Sequence, residues 1–249
     1  MRRFDDKVVL ITGAASGIGR ATAQRLGQEG AQLFLCDVQP EALEESGKLT
    51  SETGAEVETR ICDVSDPTAV DACVAACLER YGRIDVLCNV AGILQFGHTH
   101  EVSLEDWNRI LGVNLTGTFL MCRAALPHLV QSKGNIVNIG STAGLSGHPW
   151  TAAYSASKGG VHALTAGLAI EYGKQGVRAN AICPGSIQTP ITKAFHVPEG
   201  ADPKLIYRIM PLDKHRPPEV VASSVAFIAS DDAVHVNGET LRVDGATLS

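Results

Sequence analysis

The chain is short of the residues that mark several functional classes. Only 5% of its 249 residues are aromatic and 19% are charged, and no block of like charge occurs. Disordered chains join low hydrophobicity to high net charge; this one is 45% hydrophobic with a formal charge of −6. With 27 acidic against 21 basic side chains it also lacks the cationic stripe of a nucleic-acid binder. The one basic doublet, Arg2-Arg3, reads as a solvated terminus, and no long apolar run follows it. Neither a signal peptide nor a membrane span is therefore expected, and the cytoplasm is the expected address. Repeats, low-complexity tracts and Pro/Ser-rich linkers are missing as well, which excludes collagenous and mucin-like chains and suggests a single domain.

The seven cysteines (36, 62, 73, 77, 88, 122 and 183) contain no Cys-x-x-Cys pair, are odd in number and sit mostly inside apolar runs, so they read as free buried thiols. Cys73 and Cys77 can share one helix face, but zinc would need two further ligands nearby. His98-Thr-His100 reads as ordinary polar-loop chemistry, and no metal is expected.

What the sequence has is alternation. Short runs rich in Val, Ile and Leu at 7–12, 31–36, 56–61, 84–89, 135–140, 177–183 and 240–243 read as strands, most of them apolar on both faces. Helical periodicity fills 18–29, 40–53, 67–81, 104–131 with a break, 152–173 and 218–229. Strand followed by helix, repeated so often, implies a doubly wound, Rossmann-like parallel sheet of about seven strands with helices on both faces. Right-handed crossovers then place the ligand crevice at the carboxyl ends of the strands.

The first strand runs into Gly13-Ala-Ala-Ser16-Gly17-Ile18-Gly19, where a helix begins at once. Gly13 permits the sharp turn, Gly17 lets backbone approach a pyrophosphate, and Gly19 lets the helix pack on the strand. The helix N-terminus then faces the anion. Asp37 ends the second strand, 24 residues after Gly13, where a carboxylate can accept from a ribose 2′-hydroxyl and repel a 2′-phosphate. Position 16 is Ser rather than a basic residue, so NAD(H) is expected over NADP(H). The plainer role for Asp37 is a capping carboxylate. Asp63-Val64 and Asn89-Val90-Ala91-Gly92 occupy other strand ends, and Gly92 lets the chain pass close to a flat ring.

Tyr154 and Lys158 are four apart at the start of a helix and so share one face. A neighbouring ammonium favours phenolate, lowering the tyrosine pKa toward working pH and making Tyr154 a general acid or base. Ser141, thirteen residues before Tyr154 and just past a strand, places a hydroxyl at the same sheet edge. A carbonyl that receives hydride on carbon and a proton on oxygen needs such a donor and such an acid.

With these residues in order, the chain resembles the short-chain dehydrogenase/reductase family in its common form of about 250 residues. The resemblance spans the whole chain through Thr12-Gly13-x-x-x-Gly17-Ile18-Gly19, Asn89-x-Ala91-Gly92, Asn114, Ser141 with Tyr154 and Lys158, and Pro184-Gly185. It implies that Asn114 completes a catalytic tetrad by perturbing its helix so that a water joins Lys158 to solvent. It further implies that Lys158 and Tyr154 touch the cofactor, that Ile187 and Thr189 hold the nicotinamide carboxamide, and that Asp63 and Val64 flank the adenine. Two departures stand out: Val90 replaces the usual second Asn, and the tail reads Val243-Asp244-Gly245-Ala246 rather than ending in two glycines.

Residues 186–217 form the longest stretch without clear periodicity and read as a lid over the substrate. Leu94, Leu145, His148, Trp150, Ile191 and Phe195 are the candidate substrate contacts, which describes an apolar pocket if they point inward. No paired arginines demand an anionic substrate. The expectation is an NAD(H)-dependent oxidoreductase interconverting a medium-sized, largely apolar secondary alcohol and its ketone. Its rivals are an NADPH-dependent 3-oxoacyl-[acyl-carrier-protein] reductase and, more remotely, a non-catalytic dinucleotide-binding protein. Small and apolar residues in the helices near 104–131 and 152–173 add an expected homotetramer, which the family resemblance also implies.

Overall fold

The computed structural model describes residues 2–193, 196–212 and 214–249. Seven strands, β1 (Val8–Thr12), β2 (Gln32–Asp37), β3 (Val57–Ile61), β4 (Val86–Asn89), β5 (Asn135–Ile139), β6 (Arg178–Pro184) and β7 (Thr240–Val243), form one sheet in the order β3-β2-β1-β4-β5-β6-β7. Every pairing in it is parallel. The helices are α1 (Gly17–Gln28), α2 (Pro40–Ser51), α3 (Pro67–Tyr81), α4 (Leu104–Leu111), α5 (Gly117–Ser132), α6 (Ala152–Tyr172), α7 (Pro190–Lys193) and α8 (Glu219–Ala229). Periodicity had indicated all of these except the four-residue α7.

Each central strand feeds two cores because side chains alternate across a pleat. Val9 and Ile11 of β1 join Leu33, Leu35, Val137, Val221 and Val225 on the face that packs α1 and α8. Val8 and Leu10 join Phe34, Leu87, Ile136, Val70 and Met121 on the face that packs α3 and α5. Two covered faces explain why β1, β4 and β5 are buried at every residue. The edge strand β3 (VETRI) departs from that pattern, being exposed from Glu58 to Ile61. There Arg80 of α3 pairs with Glu56 and Glu58, and charge on an edge strand discourages pairing with another chain.

Among the described residues, the helical stretch Leu104–Ser132 is long and apolar enough to cross a membrane by length and composition. Half of its most apolar window is buried, and α5 packs on α3 and β4, so core burial accounts for that composition. The break expected in this helix is a five-residue π-helix, Gly112–Thr116. The strand order reverses direction between β1 and β4, the switch point beyond whose carboxyl ends doubly wound sheets place their ligand crevice.

Candidate active site

Steric limits shape the first wall of the crevice. Gly13 (φ +65°) and Gly17 (φ +53°) take left-handed conformations, and a Cβ on Gly13 would lie 2.7 Å from the Ala91 backbone. A Cβ on Gly19 would lie 2.0 Å from the Gly13 carbonyl oxygen, so only glycine lets α1 sit this tightly on the turn. Ser16, at the N-cap of α1, makes no side-chain cap bond. The first-turn N–H groups of α1 therefore remain for an anion at the positive end of the helix. A dinucleotide pyrophosphate fits this cradle in shape and in charge.

The carboxylate of Asp37 accepts from the Ala15 N–H (3.0 Å) and from the N–H groups of Val38 (2.7 Å) and Gln39 (3.1 Å). It thus ties the glycine turn to the end of β2 rather than capping a helix, and leaves a half-buried negative charge there. Along the same edge, Asp63 is exposed and accepts from the N–H and hydroxyl of Ser65. Val64 is buried against Gly117, where a Cβ would lie 2.7 Å from Val64 Cγ2.

Asn89 is buried at the end of β4 and donates to Asn138 Oδ1 (2.9 Å) and Cys122 Sγ (3.3 Å). The hydroxyl of Thr12 accepts from the N–H groups of Val90 (3.0 Å) and Ala91 (3.1 Å), stitching the ends of β1 and β4 together. Gly92 follows, and a Cβ there would sit 3.4 Å from both Asn114 Oδ1 and Lys158 Nζ. Those two groups therefore converge on one point.

Asn114 lies fully buried inside the π-helix. Its side chain grips Ile93, accepting from the Ile93 N–H (2.8 Å) and donating to the Ile93 carbonyl (2.9 Å), and also donates to Ser157 Oγ (3.1 Å). The hydroxyl of Thr118 donates to the Asn114 carbonyl (2.8 Å). Lys158 is buried and donates to the Ile139 carbonyl (2.8 Å), with Nζ 5.7 Å from the centre of the Tyr154 ring. Burial pulls the Lys158 pKa down to about 8.

The expected fall of the Tyr154 pKa is not found. Burial pushes the phenol above its ordinary value, while a hydrogen bond with Ser141 pulls the other way. Lys158 donates to the Ile139 carbonyl, and at the phenol desolvation is the largest influence. Ser141 is buried just beyond β5, and its hydroxyl accepts from the Ala143 N–H (3.1 Å).

On the far wall, Pro184 ends β6 and its carbonyl accepts from the Thr142 hydroxyl at 3.4 Å. Gly185 is pressed against the tail, where a Cβ would lie 2.9 Å from Asp244 Cα. Ile187 packs into the core on the α8 face, and Thr189 is buried over Gly17. Of the candidate substrate contacts, Trp150 is buried, Leu94 and His148 are half-buried, and Leu145 and Ile191 are exposed. An inward-facing set is thus not what the structure presents for the last two, and Phe195 lies outside the described residues. Burial holds the His148 imidazole down at about 4, and its Nε2 has no hydrogen-bond partner among the described residues. Trp150 has a positive φ of 63°, a strained conformation for a bulky residue.

Sequence reasoning missed several supporting groups. The Ile139 carbonyl that anchors Lys158 left no sequence signal. Ser157 had one, being adjacent to Lys158. His162 accepts from the Ser141 N–H (3.4 Å) and contacts Cys183 Sγ (3.0 Å), and it was visible only as one turn beyond Lys158.

Residues 13–246 match the family model adh_short_C2, described as Enoyl-(Acyl carrier protein) reductase. The chain is 42% identical over 247 residues to meso-2,3-butanediol dehydrogenase of Serratia marcescens, covering 99% of this chain and 96% of that one. It is 38% identical over 247 residues to the 3-oxoacyl-[acyl-carrier-protein] reductase FabG of Thermotoga maritima, covering 99% of each. The crystal structure of levodione reductase superposes with a TM-score of 0.90 at 40% identity, covering 98% of both chains.

Proposed function

Because the chain belongs to the short-chain dehydrogenase/reductase family, in which relatives such as meso-2,3-butanediol dehydrogenase act on CH–OH groups, we propose that it interconverts a secondary alcohol and its ketone using NAD(H), with Tyr154 carrying the proton. The observation that supports this most is the convergence of the Ser141 hydroxyl, the Tyr154 phenol and the buried Lys158 ammonium at the strand edge that also holds the glycine cradle. A nicotinamide dinucleotide, when bound, supplies or accepts the hydride. The residues that would hold it are Gly13, Ser16, Gly17, Ile18 and Gly19 at the pyrophosphate, Asp37 at the ribose and Asp63 with Val64 at the adenine. Asn89, Ala91 and Gly92 would border its middle, with Pro184, Gly185, Ile187 and Thr189 around the nicotinamide.

Ser141 orients the substrate oxygen, and Tyr154 gives that oxygen a proton in reduction or removes one in oxidation. The raised phenol pKa keeps Tyr154 protonated at neutral pH, poised as the acid of ketone reduction. Lys158, held at Ile139, keeps positive charge beside the phenol below its pKa of about 8 and lowers the cost of forming phenolate. Asn114 acts by position, fixing Ile93 and the π-helix around Lys158.

Asp37 favours NAD(H), because a 2′-phosphate beside its carboxylate would meet repulsion. That weighs against the NADPH-dependent 3-oxoacyl-[acyl-carrier-protein] reductase reading despite comparable identity to such an enzyme. Residues 186–217 form the lid, and a medium-sized, largely apolar substrate suits the apolar side chains beside it. A homotetramer fits the outward face of α6, where Ala156, Ala163, Ala166, Gly167 and Ile170 are exposed together. A reducing compartment such as the cytoplasm suits seven unpaired thiols. Replacing Tyr154 by Phe should cut turnover by roughly 10²–10⁴-fold while NADH still binds, read by fluorescence titration. Full activity in that variant would overturn the proton-carrier role.

A further inference from the structure

Three of the seven cysteines meet far from the reacting groups. Cys36 is the next-to-last residue of β2, Cys62 follows β3 directly, and Cys73 lies in α3. Topology alone brings them together, since β2 pairs with β3 and α3 crosses over the same face. Their three Sγ atoms all lie within 4.8 Å of one another. All three residues are at most 2% exposed, walled by Phe34, Val64 and Val70. The pair visible in the sequence, Cys73 with Cys77, is not the cluster: the two further ligands that Cys73 lacked come from adjacent strand ends.

We propose that Cys36, Cys62 and Cys73 form a three-sulfur binding site for a soft, thiophilic cation such as Cu⁺, Zn²⁺ or Cd²⁺. Metal–thiolate bonds of about 2.3 Å around one centre place sulfurs about 4 Å apart, so the site closes with movements of less than about 1 Å. Thiolate donors select this class of ion, and a dry pocket offers hard cations none of the oxygen ligands they require. Binding displaces the thiol protons to solvent and leaves three S–M bonds, with no change of oxidation state. An ion there would tie β2, β3 and α3 together one residue from Asp37 and one from Asp63. The inference stands apart from the proposed catalysis, and it departs from the reading of these thiols as metal-free.

The test uses the reduced, chelator-washed full chain titrated with Cd²⁺ in the absence of oxygen. One equivalent should bring up a sulfur-to-metal charge-transfer band in the ultraviolet and raise the melting temperature. Cys36→Ser, Cys62→Ser and Cys73→Ser should each weaken binding by more than about 100-fold, beyond the cost of merely disturbing a ligand's hydrogen bond. Cys88→Ala, on the opposite core face, should bind like the parent. X-ray absorption of the Cd²⁺-loaded parent counts the sulfurs directly and needs no variant to fold. Fewer than three sulfurs, no band at one equivalent, or a band that survives loss of Cys73 would each overturn the proposal.

Discussion

A methyl group on Gly19 would overlap the Gly13 carbonyl at 2.0 Å, and one on Gly13 would meet Ala91 at 2.7 Å. Across the crevice, in residues 186–217, Gly200 has open space around it, and Leu205, Tyr207 and Leu212 stand exposed. The cofactor wall is set by backbone packed on backbone, which tolerates almost no change. In the proposed lid, contacts to the body among the described residues include the His98–Glu199 hydrogen bond (2.9 Å), the edge contact of Phe96 with His196 and the Leu212 N–H donating to the Gly245 carbonyl (3.0 Å), while the Ile187–Arg216 bridge and the Ser186–His215 hydrogen bond (2.5 Å) hold the segment to itself. A backbone-set wall at the proposed cofactor site, and a segment tethered largely by side chains beside the proposed substrate, would let one fold change substrate without rebuilding its cofactor site.

The most damaging way to break this contrast is Gly19→Ala. Overpacking a close-packed contact costs about 1–3 kcal/mol, and an overlap this deep, against backbone that cannot rotate away, belongs at the upper end. Melting temperature and NADH affinity should fall together, since the first turn of α1 is both a packing element and the anion cradle. Calorimetry with a fluorescence titration decides it; an unchanged melting point would show that the wall yields more than its geometry implies. No single alanine in the lid should approach this loss.

Asp37→Asn sharpens the contrast within the wall itself. Asparagine keeps the shape but removes the charge, so discrimination against NADPH should drop by about tenfold, or about 1.4 kcal/mol. Asp37 Oδ2 accepts from the Ala15 N–H, and Oδ1 accepts from Val38 and Gln39. An amide nitrogen in either place faces a donor, which adds a stability loss of about 1–2 kcal/mol. Initial rates with the two cofactors at equal concentration read the first effect, and denaturant unfolding reads the second. A parent enzyme that already prefers NADPH would remove the charge argument altogether.

The same contrast governs what could be read from the sequence. The glycine turn and the strand ends were legible because their constraints are local: a glycine at a required φ, an acid at the end of a strand, a phenol and an amine one helical turn apart. Neither the Ile139 carbonyl that holds Lys158 nor the grip of Asn114 on Ile93 was legible, because both depend on which strand ends become neighbours. The sign of the Tyr154 shift was misread for the same reason. Spacing gives the distance to a cation but not the depth of burial, and here burial dominates. In 186–217 the short elements, α7 and the 3₁₀ turn Pro203–Ile209, are too brief to leave a period.

The mildest perturbation probes the lid directly. His98, in the loop after β4, bonds through Nε2 to the Glu199 carbonyl, linking the catalytic side of the crevice to the loop above it. The carbonyl can only accept, so Nε2 carries the proton. An exposed hydrogen bond of this kind contributes about 0.5–1.5 kcal/mol, so His98→Ala should raise KM by about two- to tenfold. Because His98 touches neither Ser141, Tyr154 nor Lys158, kcat should stay within a factor of about two, and NADH affinity should not move. If kcat falls as far as kcat/KM while KM stays constant, the loop is part of the reacting geometry rather than a tethered cover, and the division between wall and lid fails at that point.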